Sequence, residues 1–306
     1  MKYLTTLEIA KIWQMTDRRV RMLCAEGKVA GAKLVNDVWQ IPENAERPTR
    51  KNSSKPVGKA VDFKELDELK QQLDKSRPLT EGEVKRLNEE FMVNFTYNSN
   101  AIEGNTLTLN ETNLVLQGIT IDKKPLKDHM EAIGHKEAFF YVLDLVKQKT
   151  EITESVIKQI HSLVLMDSPQ DKGVYRKVPV VITGSSVNPP QPYLIQKQME
   201  DLMLELKDWQ NYRHIIEQVA LFHLKFETIH PFIDGNGRTG RLLLNLMLMQ
   251  NGYLPINIKF SDRKKYYSCF EKYHKTNNPT AMINLIKTLQ QEQLKQYLSL
   301  LNVNKE

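Results

Sequence analysis

Residues 229–241 read Ile-His-Pro-Phe-Ile-Asp-Gly-Asn-Gly-Arg-Thr-Gly-Arg and join two apolar stretches, 215–229 and 241–250, that both carry helical spacing. The glycines on either side of Asn236 let the backbone pack closely and turn its N–H groups inward. A helix starts here, so its unpaired N–H donors and the positive end of its dipole face the loop, which makes an anion site. Arg238 and Arg241 are three apart, so both guanidinium groups project on one face toward the same anion. Asp234 offers a hard oxygen ligand suited to Mg²⁺ on a polyphosphate. His230, just before the loop, takes a proton near neutral pH. Phosphate cradle, metal ligand, two arginines and a base together point to a nucleotide-dependent transferase. Residues 235–240 also fit the pattern G-x-G-x-x-G, but the dinucleotide fingerprint needs a buried strand immediately before it, and residues 230–234 are not one. No G-K-[ST] follows, which excludes a Walker A loop.

Residues 230–241 match without departure the H-x-F-x-[DE]-G-N-G-R-x-x-R signature of the Fic family, and the resemblance extends over about residues 60–276. It implies an enzyme that transfers AMP from ATP, with Mg²⁺, to a Ser, Thr or Tyr hydroxyl of a protein, itself included. Carried over by position, His230 would be the general base and Phe232 would anchor the loop in the core. Asp234 would hold Mg²⁺, Gly235, Asn236 and Gly237 would form the anion hole, and Arg238 and Arg241 would bind phosphates. The run Gly173-Val-Tyr-Arg176 looks like the start of the family's target-docking flap. The β-rich stretch after it, with Val178, Val180, Val181, Ile182 and Thr183, would then be a hairpin whose free edge receives an extended peptide. Ser99-Asn-Ala-Ile-Glu103-Gly104 matches the family's inhibitory pattern [ST]-x-x-x-E-[GN], which implies that Glu103 pairs with Arg241. A carboxylate there occupies the arginine that a triphosphate needs and repels the anion itself. Two other readings stay open: a DNA-binding transcription regulator that uses the fold as a nucleotide sensor, and a member that removes AMP.

Composition frames these motifs. The chain has 306 residues, 41% hydrophobic and 26% charged, which fits ordinary globular structure and excludes disorder, collagen and coiled coil. No run approaches the roughly 20 apolar residues that span a bilayer, and the first residues lack the apolar core of a secretory signal. Two distant cysteines, Cys24 and Cys269, give neither a disulfide framework nor a zinc pattern. The expected location is the cytoplasm. The net charge of +6 is uneven: residues 1–59 hold 12 basic and 6 acidic side chains, and the rest hold 31 of each. A basic module with a polyanionic partner is thus joined to a neutral one.

The expected fold is mainly α, in three parts: a small winged helix-turn-helix at residues 1–48, a linker at 49–60 rich in Pro, Ser, Gly and Lys, and a Fic-type helical domain at 61–306 with a β-hairpin flap. In the first part, Thr6 caps a helix, Asp17 caps a second that ends at Gly27, and two β-rich runs, 29–35 and 38–41, flank an Asn36-Asp37 turn. This segment resembles excisionase-like or MerR-like DNA-binding domains. Arg18, Arg19 and Arg21 would lie near the start of the recognition helix. Such proteins often read two half-sites, so the reading admits a homodimer. In the third part, apolar positions three and four apart predict helices at 63–75, 81–99, 110–118, 127–149, 153–165, 195–209, 214–229, 237–251 and 262–276. His161 reads as structural. Tyr266, Tyr267 and Tyr273 read as core or rim aromatics, with stacking of one on an adenine as the alternative reading.

Overall fold

A computed structural model describes residues 2–13, 15–25, 27–47, 61–76, 80–182 and 188–303. The chain divides into two compact units, Met1–Val57 and Gly58–Glu306. The expected linker at 49–60 lies outside the described residues.

In the first unit, Asn36 and Asp37 both take positive φ, 47° and 61°, as a two-residue hairpin turn requires. They join β2 (Lys33–Val35) to β3 (Val38–Pro42), and β1 (Tyr3–Thr5) pairs antiparallel on the other side of β3, giving the order β1-β3-β2. β1 was not expected from the sequence; three residues are too few to show alternation. Residues 29–32 form turns rather than strand. Thr5, not Thr6, caps α1 (Thr6–Ile12) in a capping box with Glu8, because Thr6 is already helical and buried. α2 (Asp17–Ala25) is capped by Thr16, whose hydroxyl accepts from the Arg19 N–H at 3.3 Å. Ile9, Trp13, Val20, Leu23 and Ile41 close a small core between these helices and the sheet.

The second unit is helical. Its elements are α3 (Lys64–Lys75), α4 (Glu81–Ile102), α5 (Leu109–Leu116), α6 (Leu126–Lys147), α7 (Glu154–Val164), α8 (Pro192–Trp209), α9 (Ile215–Ile229), α10 (Asn236–Gln250), α11 (Arg263–Thr276) and α12 (Thr280–Val303). Thr80, Thr108 and Thr153 cap α4, α5 and α7 through their hydroxyls. α10 is the centre: every residue from Leu242 to Leu248 is buried, so this helix has no solvent face and its neighbours wrap it. Asn245, the polar residue in that run, is satisfied by the backbone of Ile256, donating to its oxygen at 3.0 Å and accepting from its N–H at 2.8 Å. The sequence reading stopped at residue 276 and missed α12, which buries Met282, Ile283, Ile286 and Leu294 in the common core. No helix among the described residues is long and apolar enough to cross a membrane.

The expected β-hairpin flap is not present in the described residues. Residues 177–182, including Val178, Val180, Val181 and Ile182, run without strand pairing, and Thr183 lies outside the described residues. Pro179 removes a donor from the middle of the run, and Pro189 and Pro190 stand on the return. The side chain of Arg176 also takes the carbonyl oxygens of Val178 at 3.1 Å and Pro190 at 2.7 Å. Those acceptors are therefore held by an arginine rather than by a neighbouring strand.

Candidate active site

The loop between α9 and α10 is built from its own side chains. His230 ends α9 in the left-handed region at φ 49°, and Gly235 does the same before α10 at φ 73°. Between them Asn236 folds back on Phe232, accepting from its N–H at 2.9 Å and donating to its oxygen at 2.8 Å. The Asn236 side chain is thus a staple of the loop. The Gly235 N–H is taken by Asp234 Oδ1 at 2.6 Å, which leaves the first-turn N–H groups of Asn236, Gly237 and Arg238 as the donors an anion would meet. Phe232 is fully buried and stacks on the His161 ring at 3.6 Å between centroids.

His161 and Arg176 hold this loop from outside. His161 donates from Nε2 to the Asp234 oxygen at 2.9 Å, and its Nδ1 accepts from the Gly173 N–H at 2.8 Å. One buried imidazole so ties the glycine turn to the root of the expected flap. Arg176 donates to the His230 oxygen at 2.8 Å, and its own N–H goes to the Pro231 oxygen at 2.9 Å. The structural reading of His161 is correct but undersells its place. Sequence reading placed Arg176 only at the start of the expected flap, because nothing in its spacing announces carbonyl partners at Pro190 and His230.

The charged groups converge at the start of α10. Arg238 is fully buried, with Nη1 3.1 Å from Glu131 Oε1 and Nη2 3.3 Å from Asp234 Oδ1. Glu131, on α6, also accepts from Asn105 at 2.9 Å. The sequence reading missed it. Its signal was available, since Asp128, Glu131 and His135 are polar residues on the stripe of α6 that continues as Phe139 and Val142. Asp234 is half exposed, and its Oδ2 faces Lys127 Nζ at 3.6 Å. Burial pulls its pKa up, but Arg238, the Gly235 N–H and Lys127 outweigh that and hold it below the usual carboxylate range. One half-exposed carboxylate kept ionised suits Mg²⁺, which takes one or two carboxylates and fills its other positions with phosphate and water. The described residues contain no cluster of three or more His, Cys, Asp or Glu able to hold a metal by itself.

Arg241 lies one turn beyond Arg238 and is buried. Its Nη2 meets Glu103 Oε1 at 2.8 Å and the Ser99 oxygen at 2.7 Å, and its Nε donates to Ser99 Oγ at 3.0 Å. Burial disfavours the guanidinium charge, yet Glu103 and its neighbours more than compensate and raise the pKa. Glu103 caps the end of α4, and Gly104 follows at φ 100°, where a side chain is strained. A Cβ on Gly237 would run into the Glu103 carboxylate. Ser99 and Glu103 are therefore placed against the second arginine, and the Glu103 carboxylate lies over the open turn of α10, with Gly104 following at the end of α4.

His230 is neutral at pH 7: burial pushes its pKa down to about 4. Its Nδ1 is buried without a hydrogen-bond partner, so the accessible edge of the ring is the Nε2 edge. Tyr266 does not line an open adenine site. It is buried, its hydroxyl is 2.7 Å from His223 Nε2, and Arg241 stands over its ring at 6.0 Å.

These buried imidazoles set a pH dependence of stability. His161 and His230 are both depressed to about 4 and His223 to about 3, each by burial. The unfolded chain binds the proton first as pH falls below the ordinary histidine value, so each group's contribution is present above that value and is lost on acidification. Each loses about 2 kcal/mol by pH 5. Glu227, raised to about 8 by burial, acts in the opposite sense, weakening the fold as pH rises from the ordinary carboxylate range toward 8. Urea unfolding should therefore show the midpoint falling between pH 6.5 and pH 4.5; a flat midpoint across that range would contradict the burial of these rings.

Residues 151–248 match the model of the Fic/DOC family, so the chain carries a Fic/DOC family domain. It is 38% identical over 222 residues to the protein adenylyltransferase Fic of Nematostella vectensis, covering 69% of this chain and 51% of that one. It is 34% identical over 235 residues to the protein of the same name from Drosophila melanogaster, covering 74% of this chain and 46% of that one. The chain thus spans about half the length of the curated relatives it matches. Among solved structures, it resembles a Fic domain containing signaling protein from Bacteroides thetaiotaomicron, with a TM-score of 0.70, 28% identity and coverage of 76% of this chain and 94% of that one. It also resembles Fic-1 from C. elegans, with a TM-score of 0.69, 26% identity and coverage of 79% and 72%.

Proposed function

We propose that this chain is a protein adenylyltransferase held inactive by its own Glu103. The observation that carries the reading is the ion pair of Glu103 with Arg241 at 2.8 Å, set over the turn of Gly237 where phosphates would bind. The chemistry is an in-line displacement. The target hydroxyl passes its proton to His230 Nε2 and its oxygen bonds to the α-phosphorus of ATP, while the bond from that phosphorus to the bridging oxygen breaks and pyrophosphate leaves. The N–H groups of Asn236, Gly237 and Arg238 and the guanidinium groups of Arg238 and Arg241 face the charge that develops. Mg²⁺, held by Asp234, would neutralise charge on the phosphates. Residues 180–182, beyond Pro179 and the Val178 carbonyl held by Arg176, would offer carbonyl and N–H groups to an extended target docking by main-chain pairing. Intact-mass spectrometry of the chain with ATP, Mg²⁺ and candidate target proteins tests this. A gain of one adenylyl group is expected; a gain of a phosphoryl group, or none after Glu103 is removed, would overturn it.

We further propose that the first unit is a winged helix-turn-helix that binds DNA, as a homodimer on two half-sites. What supports this is the basic excess of residues 1–59 and the position of Arg18, Arg19 and Arg21 in the early turns of α2, Arg21 paired to Asp17. If the three arginines each neutralise a phosphate, log affinity falls against log salt with a slope of about −2.7. Fluorescence anisotropy on duplex DNA between 50 and 200 mM salt, both set by the experimenter over about the range where such losses are large, reads that slope. A chain whose binding ignores salt would remove DNA from the account.

A further inference from the structure

Behind His230 lies a buried polar layer to which the transfer chemistry gives no work. Glu227 sits on α9 one turn before His230, with Oε2 3.9 Å from the imidazole Nδ1. Its Oε1 has no hydrogen-bond partner, nor has His230 Nδ1, and both atoms are buried. The space they occupy is opened by Gly240 on α10. A Cβ there would collide with Glu227 Oε1 and come within 3.1 Å of His223 Nδ1. A carboxylate in a core this apolar is costly unless something faces it; Oε2 of this one lies 3.9 Å from the rear edge of the base, and Oε1 is turned to Gly240 beside His223 Nδ1.

The charges around Glu227 come from every element packed on it. Its own helix brings His223 and His230, α10 brings Arg241, the end of α4 brings Glu103, and α11 brings the hydroxyls of Tyr266 and Tyr267. Burial and then the Glu103 charge push Glu227 up, Arg241 pulls it down, and the balance holds it at about 8. With Glu103 in place, Glu227 is therefore mostly protonated at pH 7. Without Glu103, one like charge is gone and Arg241 acts on Glu227 undiminished.

We propose that Glu227 is a positioning residue for His230: it holds the Nδ1 edge and, once ionised, stabilises the imidazolium formed when the target hydroxyl gives up its proton. Its own proton leaves to solvent when Glu103 disengages, and no proton passes from His230 to Glu227. The inhibitory carboxylate thus restrains the base as well as the phosphate site. This inference rests on the adenylyl-transfer reading for its kinetic consequence, but the coupling of Glu227 to the His230 ring stands by itself.

The test uses Glu227→Gln, which keeps size and shape, in the full chain carrying Glu103→Gly. The expected kinetic result is a kcat about tenfold lower or more, an ATP KM within about twofold of the parent, and a pH–kcat profile that loses one ionisation between about 6 and 8. NMR titration of the His230 ring nitrogens, in the same two proteins without substrate, should show its pKa lower in the glutamine variant by half a unit or more, about threefold or more in proton affinity. Unchanged kcat and pH profile would overturn the proposal, as would loss of ATP binding in step with activity, which marks a packing role. If the parent transfers no AMP, the adenylyltransferase reading fails, and the NMR titration alone then decides whether Glu227 governs the ring. An unmoved His230 titration refutes the coupling.

Discussion

A His230→Ala chain transfers AMP about 10²–10⁴-fold more slowly than its parent, the range that a positioned general base contributes. The effect appears in kcat with ATP affinity kept, because the phosphate-facing groups stand on α10 and the imidazole stands at the end of α9. Arg176 and Asn236 grip the loop through backbone atoms of His230, Pro231 and Phe232, so removing the ring leaves the loop fastened. Single-turnover transfer from α-labelled ATP, with calorimetry of ATP binding, checks both halves. Parental transfer by His230→Ala would show that another group removes the hydroxyl proton.

Glu103→Gly acts in the opposite direction and is expected to raise transfer by about 5- to 150-fold, the span of a coupling free energy of roughly 1–3 kcal/mol. The residue stands at the C-cap of α4 with φ −88° and ψ 0°, which glycine adopts without strain. Its removal frees Arg241 Nη2 from the carboxylate at 2.8 Å but leaves both Ser99 contacts in place, so the guanidinium stays positioned. The substitution also takes from the buried Arg241 its directly paired carboxylate, leaving Glu227 as the nearby acidic group, and so destabilises the empty protein. Two readings taken together check this: higher labelling and a lower melting temperature that ATP restores. Equal labelling by the two chains would remove Glu103 from the inhibition.

The sequence revealed what is local. The Asn36-Asp37 turn, the Thr153 cap and the helical stripes of α4 to α11 follow from neighbouring residues, and the structure keeps them to within a few positions. The loop at 230–241 was legible for the same reason, since glycine, cap and arginine act within a dozen residues. What stayed hidden depends on partners far along the chain. Glu131 meets Arg238 across more than a hundred residues, and Arg176 gains its meaning from carbonyl groups at Pro190 and His230. The run at 177–182 misled because β-rich composition says that a strand is affordable, while Pro179 and the arginine decide whether a ladder forms. α12 is the exception, since its apolar stripe is ordinary and lies in the sequence as plainly as those before it.

The carboxylate that meets Arg241 is borne on a helix of the same polypeptide, and under the proposed inhibition this sets how the restraint responds to its surroundings. A tethered competitor meets its site at a fixed effective concentration, whatever the dilution of the protein. The degree of restraint should therefore be the same in a sparse cell and a crowded tube. Only a change in free nucleotide, or a partner that pulls on α4, can alter it.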